Sequence, residues 1–551
     1  ASGCVIHTRV ECWHVTFRCL LLYHLQTGQT TNKVLGYLDR DGDRWSMMRP
    51  PVLPAVLWSL CQLLSCVDSM CPAGCVCDDD NLTVECADTA LQFIPIVLNP
   101  SVERLMFRRS DLITLEEQLN FYPELVYLDV SHNRLHDLGP RTFEMQQKLT
   151  QLNLNDNKIS SVSNKTFQKL RSLQVLNLGG NLVDRLGQRC FSPLQSLEHL
   201  DLSRNRIANI HRDAFADLPN LRVLDLKNNY LKQVPSHAFH PLGRLAELRL
   251  GYNTIQSLID GQFSYLEELS VLDLQGCGLT TLSHLSFRGV ESLRSLNLAD
   301  NSLLQVPTNQ LAVVSRLKSL FLGQNLFESI PAGAFSPLRY LELIDLTGCP
   351  RLKSVSSDAF VSNLDLKTLW LNSTRSLTSI QPETFRGLSN LQHLSFHQSA
   401  LATLPENGAS WGDLVTLDLS SNPLECRCDI IWLRKVAHAQ NNSLIICDSP
   451  PALHNRILKD LSDDQLSCSF GQTKEDILIV VGIVLPVAVL LAVLICVWIR
   501  CRKRLQLAFK EYRWRSASST AMQQEYKASI REDYISVYSQ KPLKPFPVTE
   551  L

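Results

Sequence analysis

From Leu125 the chain repeats itself every 24 residues. LVYLDVSHNRLHDL begins at Leu125, LTQLNLNDNKISSV at Leu149, LQVLNLGGNLVDRL at Leu173, LEHLDLSRNRIANI at Leu197 and LRVLDLKNNYLKQV at Leu221. The frame returns at Leu245, Leu269, Leu293, Leu317 and Leu341, slips to 25 residues at Leu366 and Leu391, and to 23 at Leu414. A degenerate copy starts at Val102, which makes thirteen clear repeats and one doubtful. A chain of 551 residues would ordinarily hold roughly three or four domains, but a period in this range makes residues 102–424 a single array of stacked units.

Each unit reads L-x-x-L-x-L-x-x-N-x-L, the leucine-rich-repeat signature. In the x-L-x-L stretch alternate side chains point to opposite faces, so the leucines go inward and the intervening residues outward. An asparagine column follows, at Asn133, Asn157, Asn181, Asn205, Asn229, Asn253, Asn301, Asn325 and Asn422, where an amide can satisfy turn backbone groups. Most repeats carry a phenylalanine eighteen or nineteen residues in, from Phe143 to Phe385, which predicts an aromatic spine on the far side. The expected fold is an α/β solenoid, a leucine-rich-repeat horseshoe with a parallel concave β-sheet. No single unit can bury its own leucine face, so both ends need caps.

Cysteines stand where caps are needed. Cys71, Cys75, Cys77 and Cys86 precede the array within 70–101, and Cys426, Cys428, Cys447 and Cys468 follow it within 425–468. Spacing alone permits three connectivities for each set of four, and clustered cysteines also suit zinc, which an oxidising compartment disfavours. Cys190, Cys277 and Cys349 read as buried residues of the array. Apolar residues 477–499, with Asp476 before them and Arg500, Arg502, Lys503 and Arg504 after, are long enough for a transmembrane helix with its C-terminal side in the cytoplasm. Residues 47–69 have the layout of a signal peptide, and 1–46 read as an upstream extension of the translation, the alternative being an N-terminal arm. Residues 469–476 are then a short stalk and 500–551 a cytoplasmic tail.

The sequence holds no glycine-rich phosphate loop, no H-E-x-x-H and no nucleophile elbow, so binding is the expected class; no enzyme activity and no cofactor are expected. A formal charge of -1 argues against a nucleic-acid partner. The central outward column of the sheet runs Asp129, Asn153, Asn177, Asp201, Asp225, Arg249, Asp273, Asn297, Phe321, Asp345, Trp370, Ser395, Asp418. Phe321 and Trp370, with Tyr252 at another outward position, are the candidate ligand contacts, because exposed aromatics on a rigid surface serve as binding anchors. Sequons mark Asn81, Asn164, Asn372 and Asn441 for glycosylation, Asn372 beside Trp370.

In the tail, basic residues outnumber acids and favour anionic lipid. Cys496 and Cys501 are palmitoylation candidates, and Tyr534 to Val537 fits a sorting or phosphorylation motif. Val548, Thr549, Glu550 and Leu551 fit a C-terminal ligand for a PDZ scaffold.

Taken together, the flanking cysteines (with Asn422-Pro-Leu-Glu-Cys426-Arg-Cys428-Asp, Trp432 and Pro450-Pro451), the repeats and the single span resemble extracellular leucine-rich-repeat cell-surface proteins of the Tartan/Capricious or vertebrate synaptic transmembrane type. The resemblance implies disulfides Cys71–Cys77, Cys75–Cys86, Cys426–Cys447 and Cys428–Cys468. It further implies a type I plasma-membrane protein of recognition or adhesion, with a homophilic or heterophilic protein ligand. The other reading is a cis-acting coreceptor or decoy.

Overall fold

The computed structural model describes residues 71–468, except 441, 443 and 444, and residues 485–524, with side chains of the last helix described as far as Lys510. The chain divides into two units, 1–73 with 95–99, and 74–94 with 100–551. The described part of the first is residues 71–73 and 95–99, in which Leu98 is buried while Ile96 and Val97 are exposed. The second unit carries the repeats.

Its main sheet has sixteen strands. An antiparallel pair opens it, Cys75–Asp78 against Thr83–Ala87, and every later strand lies parallel to its predecessor, through Arg104–Arg108 and Tyr127–Asp129 to Thr416–Asp418. The register never slips. Leu296 pairs with Leu320, Leu320 with Ile344, Ile344 with Leu369, Leu369 with Leu394 and Leu394 with Leu417. Coils of 24, 25 and 23 residues therefore all meet the sheet in phase, and extra or missing residues are absorbed on the return path. The inward leucines, such as Leu200, Leu224 and Leu248, are buried.

Leaving the sheet costs each coil a left-handed corner. The residue just before the asparagine column has positive φ in coil after coil: His132, Asp156, Gly180, Arg204, Asn228, Tyr252, Gly276, Asp300, Gln324, Gly348, Ser373, Gln398 and Ser421. For non-glycine residues this conformation costs about 1–2 kcal/mol each. The asparagine that follows offsets it. Asn205 Nδ2 donates to Leu202 O at 3.1 Å in its own coil and to Leu178 O at 2.9 Å in the coil before, while its Oδ1 accepts from Val183 N at 3.1 Å. Asn157, Asn181, Asn229, Asn253, Asn301 and Asn325 repeat this pattern. Where the amide is missing the donor role persists: Cys277 Sγ reaches Leu250 O at 3.3 Å, and Thr374 and Ser399 hydroxyls both reach Leu371 O.

The return path consists of turns, short helical segments such as Thr308–Leu311, and three two-stranded parallel sheets. Phe143, Phe167, Phe191 and Phe215 stack at 6.3 Å intervals, and Phe335, Phe360 and Phe385 at 5.5 and 6.0 Å. The stack then passes through Trp411 to Trp432 in the C-terminal cap. Two buried amides replace leucines of this side: Gln146 Nε2 donates to Leu119 O and Asn363 Nδ2 to Leu338 O, each capping a turn of the preceding coil.

At the ends, disulfides join Cys75 to Cys86, Cys426 to Cys447 and Cys428 to Cys468, and Cys71 and Cys77 are each disulfide-bonded. The short helix Ile431–Ala439 closes the last coil, burying Trp432 and Leu433. Farther on, the helix Leu485–Gln524 runs past Ile499 without a break, since no proline or glycine interrupts the sequence from Val487 to Gln524.

Replacing Asn205 with alanine removes the partners of three buried backbone groups. The loss should cost at least about 2 kcal/mol of stability in denaturant titration, against less than about 0.5 kcal/mol for Arg206→Ala on the exposed neighbour.

Candidate functional site

The central outward column has a structural duty that explains its composition. In nine coils its Asp or Asn accepts the backbone N–H two residues on, closing the strand end: Asp129 from Ser131, Asn153 from Asn155, Asn177 from Gly179, Asp201 from Ser203, Asp225 from Lys227, Asp273 from Gln275, Asn297 from Ala299, Asp345 from Thr347 and Asp418 from Ser420. The abundance of acids and amides is thus a backbone requirement. Arg249, Phe321, Trp370 and Ser395 break the rule; the first three each give up a hydrogen bond worth about 1 kcal/mol, whereas the N–H two residues after Ser395, that of His397, is accepted by Asn372 Oδ1. Glycine stands two residues after the first two, at Gly251 and Gly323, and Asn372 after the third.

The first half of the face is charged and largely self-neutralised. Arg108 Nε lies 2.7 Å from Asp129, Arg249 Nη1 3.2 Å from Asp225, and Lys227 Nζ 2.9 Å from Asp273. Burial alone would raise the Asp129 carboxyl, but hydrogen bonds from Ser131 and Arg108 hold it below the usual range. Asp225 goes the other way: burial, reinforced by the Asp201 charge, lifts it despite the Lys227 N–H and Arg249. Tyr252 belongs to this half. It is exposed, and its ring lies 5.6 Å from Lys227 Nζ. Gly276 (φ 64°) beside it leaves room for the ring where it lies, since a Cβ there would come within 2.6 Å of it.

The second half differs. Phe321, Asp345 and Trp370 are register partners on three successive strands, so the two aromatics flank one carboxylate. Both aromatics are half-buried. Tyr252 lies three coils before Phe321, roughly 14 Å along the sheet, and does not join them. Asn372 is half-buried, with its Oδ1 accepting from Ser395 Oγ at 2.6 Å and His397 N at 2.9 Å. The aromatics and the sequon were visible in the linear sequence. Asp345 as their shared neighbour becomes visible only when the coils are aligned in register, and Lys227 and Gly276 beside Tyr252 carry no linear signal.

Other candidates are placed as follows. Asn81 and Asn164 are exposed, and Cys496 and Cys501 are exposed free thiols on the last helix. Asn441, Tyr534, Val537 and Val548–Leu551 lie outside the described residues. The free thiols Cys190, Cys277 and Cys349 are buried, which pushes the first up to about 12 and the other two to about 11. Among the described residues no group of three His, Cys, Asp or Glu side chains is arranged to hold a metal ion, and one helix, over Leu485–Lys510, is long and apolar enough to cross a membrane.

A solenoid of parallel strands with an asparagine ladder and an outward-facing sheet defines a class, and the family profile described as leucine rich repeat matches it at residues 123–183, 174–231, 219–279, 291–350 and 364–424. These segments make up half of the chain, which belongs to the leucine-rich-repeat family. Over 101 residues it is 34% identical to leucine-rich repeat and fibronectin type-III domain-containing protein 4 of Rattus norvegicus, covering 17% of this chain and 15% of that one. Over 106 residues it is 32% identical to chondroadherin of Homo sapiens, covering 19% and 29%. A solved TLR13–ssRNA13 complex aligns with a TM-score of 0.52 at 25% identity, over 67% of this chain and 61% of that chain. Each match thus spans less than two thirds of the relative's length.

On the flank of the sheet, Glu342 accepts from Lys318 and Lys367, each at 2.7 Å, and these bonds lower its carboxyl from 4.5 to about 2. A carboxyl depressed by folding contributes stability above its unfolded value and loses it as pH falls from about 4.5 towards 2. Glu342→Gln should flatten that part of the stability profile in denaturant titrations across this range. A third of the side chain is exposed, so the loss at pH 7 should stay below about 1 kcal/mol.

Proposed function

We propose that this chain is a type I cell-surface recognition or adhesion protein that binds a protein ligand on its concave sheet. Disulfide-bonded caps suit an oxidising, extracellular compartment. The apolar helix from Leu485 is followed by Arg500, Arg502, Lys503 and Arg504, a bias that favours a cytoplasmic C-terminal side. The tail then serves trafficking or scaffold contacts at the plasma membrane. A rigid repeat surface of this kind suits protein recognition.

One observation carries the reading. Phe321 and Trp370 stand where nine other coils keep an Asp or Asn that closes the strand end, so the fold is better served by a short polar acceptor than by these rings. A local rule broken without structural gain marks a functional position. Half-exposed aromatics on a rigid sheet have the form of binding anchors.

Cells displaying the full chain, panned against an array of surface proteins, should capture a partner. Phe321→Asn should weaken capture at least about 30-fold, the size of an anchor residue, while leaving thermal stability unchanged or raised, because Asn restores the strand-end acceptor. A stable variant that still captures the partner, or an array with no partner, would contradict the proposal. Presenting the partner on the same or on an opposing cell separates a cis coreceptor from an adhesion protein.

A further inference from the structure

We infer that Phe321, Asp345 and Trp370 together form a receptor for a guanidinium group, supplied by an arginine side chain of the protein ligand. The inference rests on the protein-binding reading above and adds the chemistry of the contact.

Asp345 is the carboxylate of the central column with an aromatic residue on both register neighbours. It is also uncommitted. Asp129, Asp225 and Asp273 each pair with a basic side chain, whereas Asp345 makes no ion pair among the described residues. Lys318, in the coil before, and Lys367, in the coil after, are both held by Glu342, each at 2.7 Å. No lysine or arginine occupies an outward strand position from Ser295 to Ser420; the row through Asp345 holds Asn297, Phe321, Trp370, Ser395 and Asp418. The cations bordering this half, Lys318 and Lys367, are bound to Glu342 at the flank, so among the described residues the Asp345 carboxylate has no basic side chain paired with it.

The geometry suits a flat cation. Phe321 and Trp370 sit two strands apart, roughly 9.6 Å at the usual strand spacing. A cation above Asp345 would stand one strand, about 4.8 Å, from the column position of each aromatic residue, which is the scale of a cation–π contact. Neither ring has an aromatic partner among the described residues that would close this gap. The hydrogen bond from Thr347 N to Asp345 Oδ1, at 2.8 Å, fixes the carboxylate in advance, and its other oxygen has no hydrogen-bond partner among the described residues. Guanidinium fits better than ammonium because it is planar, weakly hydrated, and both stacks on rings and donates in its plane.

The test needs no natural ligand. The purified full chain in detergent is titrated with acetyl-arginine amide, acetyl-lysine amide and the uncharged isostere acetyl-citrulline amide, read by tryptophan fluorescence. Trp411 and Trp432 are only 4% and 8% exposed, and subtracting the Trp370→Phe variant isolates the Trp370 signal. Arginine amide should give a saturable, salt-sensitive change at millimolar concentration, with lysine amide several-fold weaker and citrulline amide without effect. Asp345→Asn should weaken the arginine response about tenfold. That variant keeps its fold, because Asn153, Asn177 and Asn297 perform the same strand-end role in other coils. An equal response to citrulline amide, or an unaltered response in Asp345→Asn, would overturn the inference. A partner lost on Phe321→Asn but retained on Asp345→Asn would also overturn it, while leaving the protein-binding reading intact. Arginine binding with no partner on the array would do the reverse.

Discussion

Everything in the solenoid depends on what happens to the backbone where each coil leaves the sheet. A left-handed corner is needed there, and it would strand buried carbonyls of its own coil and of the coil before. One amide side chain meets both needs, as when Asn253 donates to Leu250 O at 2.7 Å and to Leu226 O at 2.9 Å. Because its Oδ1 also accepts from Leu231 N, each asparagine ties two coils together. Register follows from this tie. Once every coil is pinned at the same corner, its inward leucines fall into line whatever the length of the return path.

Register in turn makes the outer face a two-dimensional array, in which residues about 24 apart become neighbours. The row through Asp345 shows how function can be written onto such an array. Most of its members serve the strand end, so a departure stands out against a structural background. Arg249 departs and is tied down by Glu247 and Asp225. Phe321 and Trp370 depart and gain no comparable partner, which separates them from the charged half.

The inward leucines, the asparagine column and the phenylalanine stack were legible in the sequence because each recurs at a fixed period with a fixed chemistry. The corner conformation was not. It falls on His132, Arg204, Tyr252, Gln324 and Ser421 alike, so its period has no chemical signature. The acid and amide column was legible as a pattern but not as a duty, since its hydrogen bond goes to a backbone N–H that any residue supplies. Gln146 and Asn363 were hidden for a different reason. They occupy leucine positions, and only the fold shows that turn carbonyls of the preceding coil lie within reach. The helix beyond Ile499 escaped because hydropathy marks where an apolar run ends, whereas a helix can continue through charged residues of good helix propensity.

The central claim is that ligand contact lies on the sheet near Phe321 and not on the far side. A photoreactive amino acid at Ser319, on the same strand as Phe321, can be compared on living cells with one at exposed Lys169 on the return path. The account predicts covalent adducts with a surface protein from position 319 and none from position 169. Adducts from 169 alone, or equally from both, would contradict it.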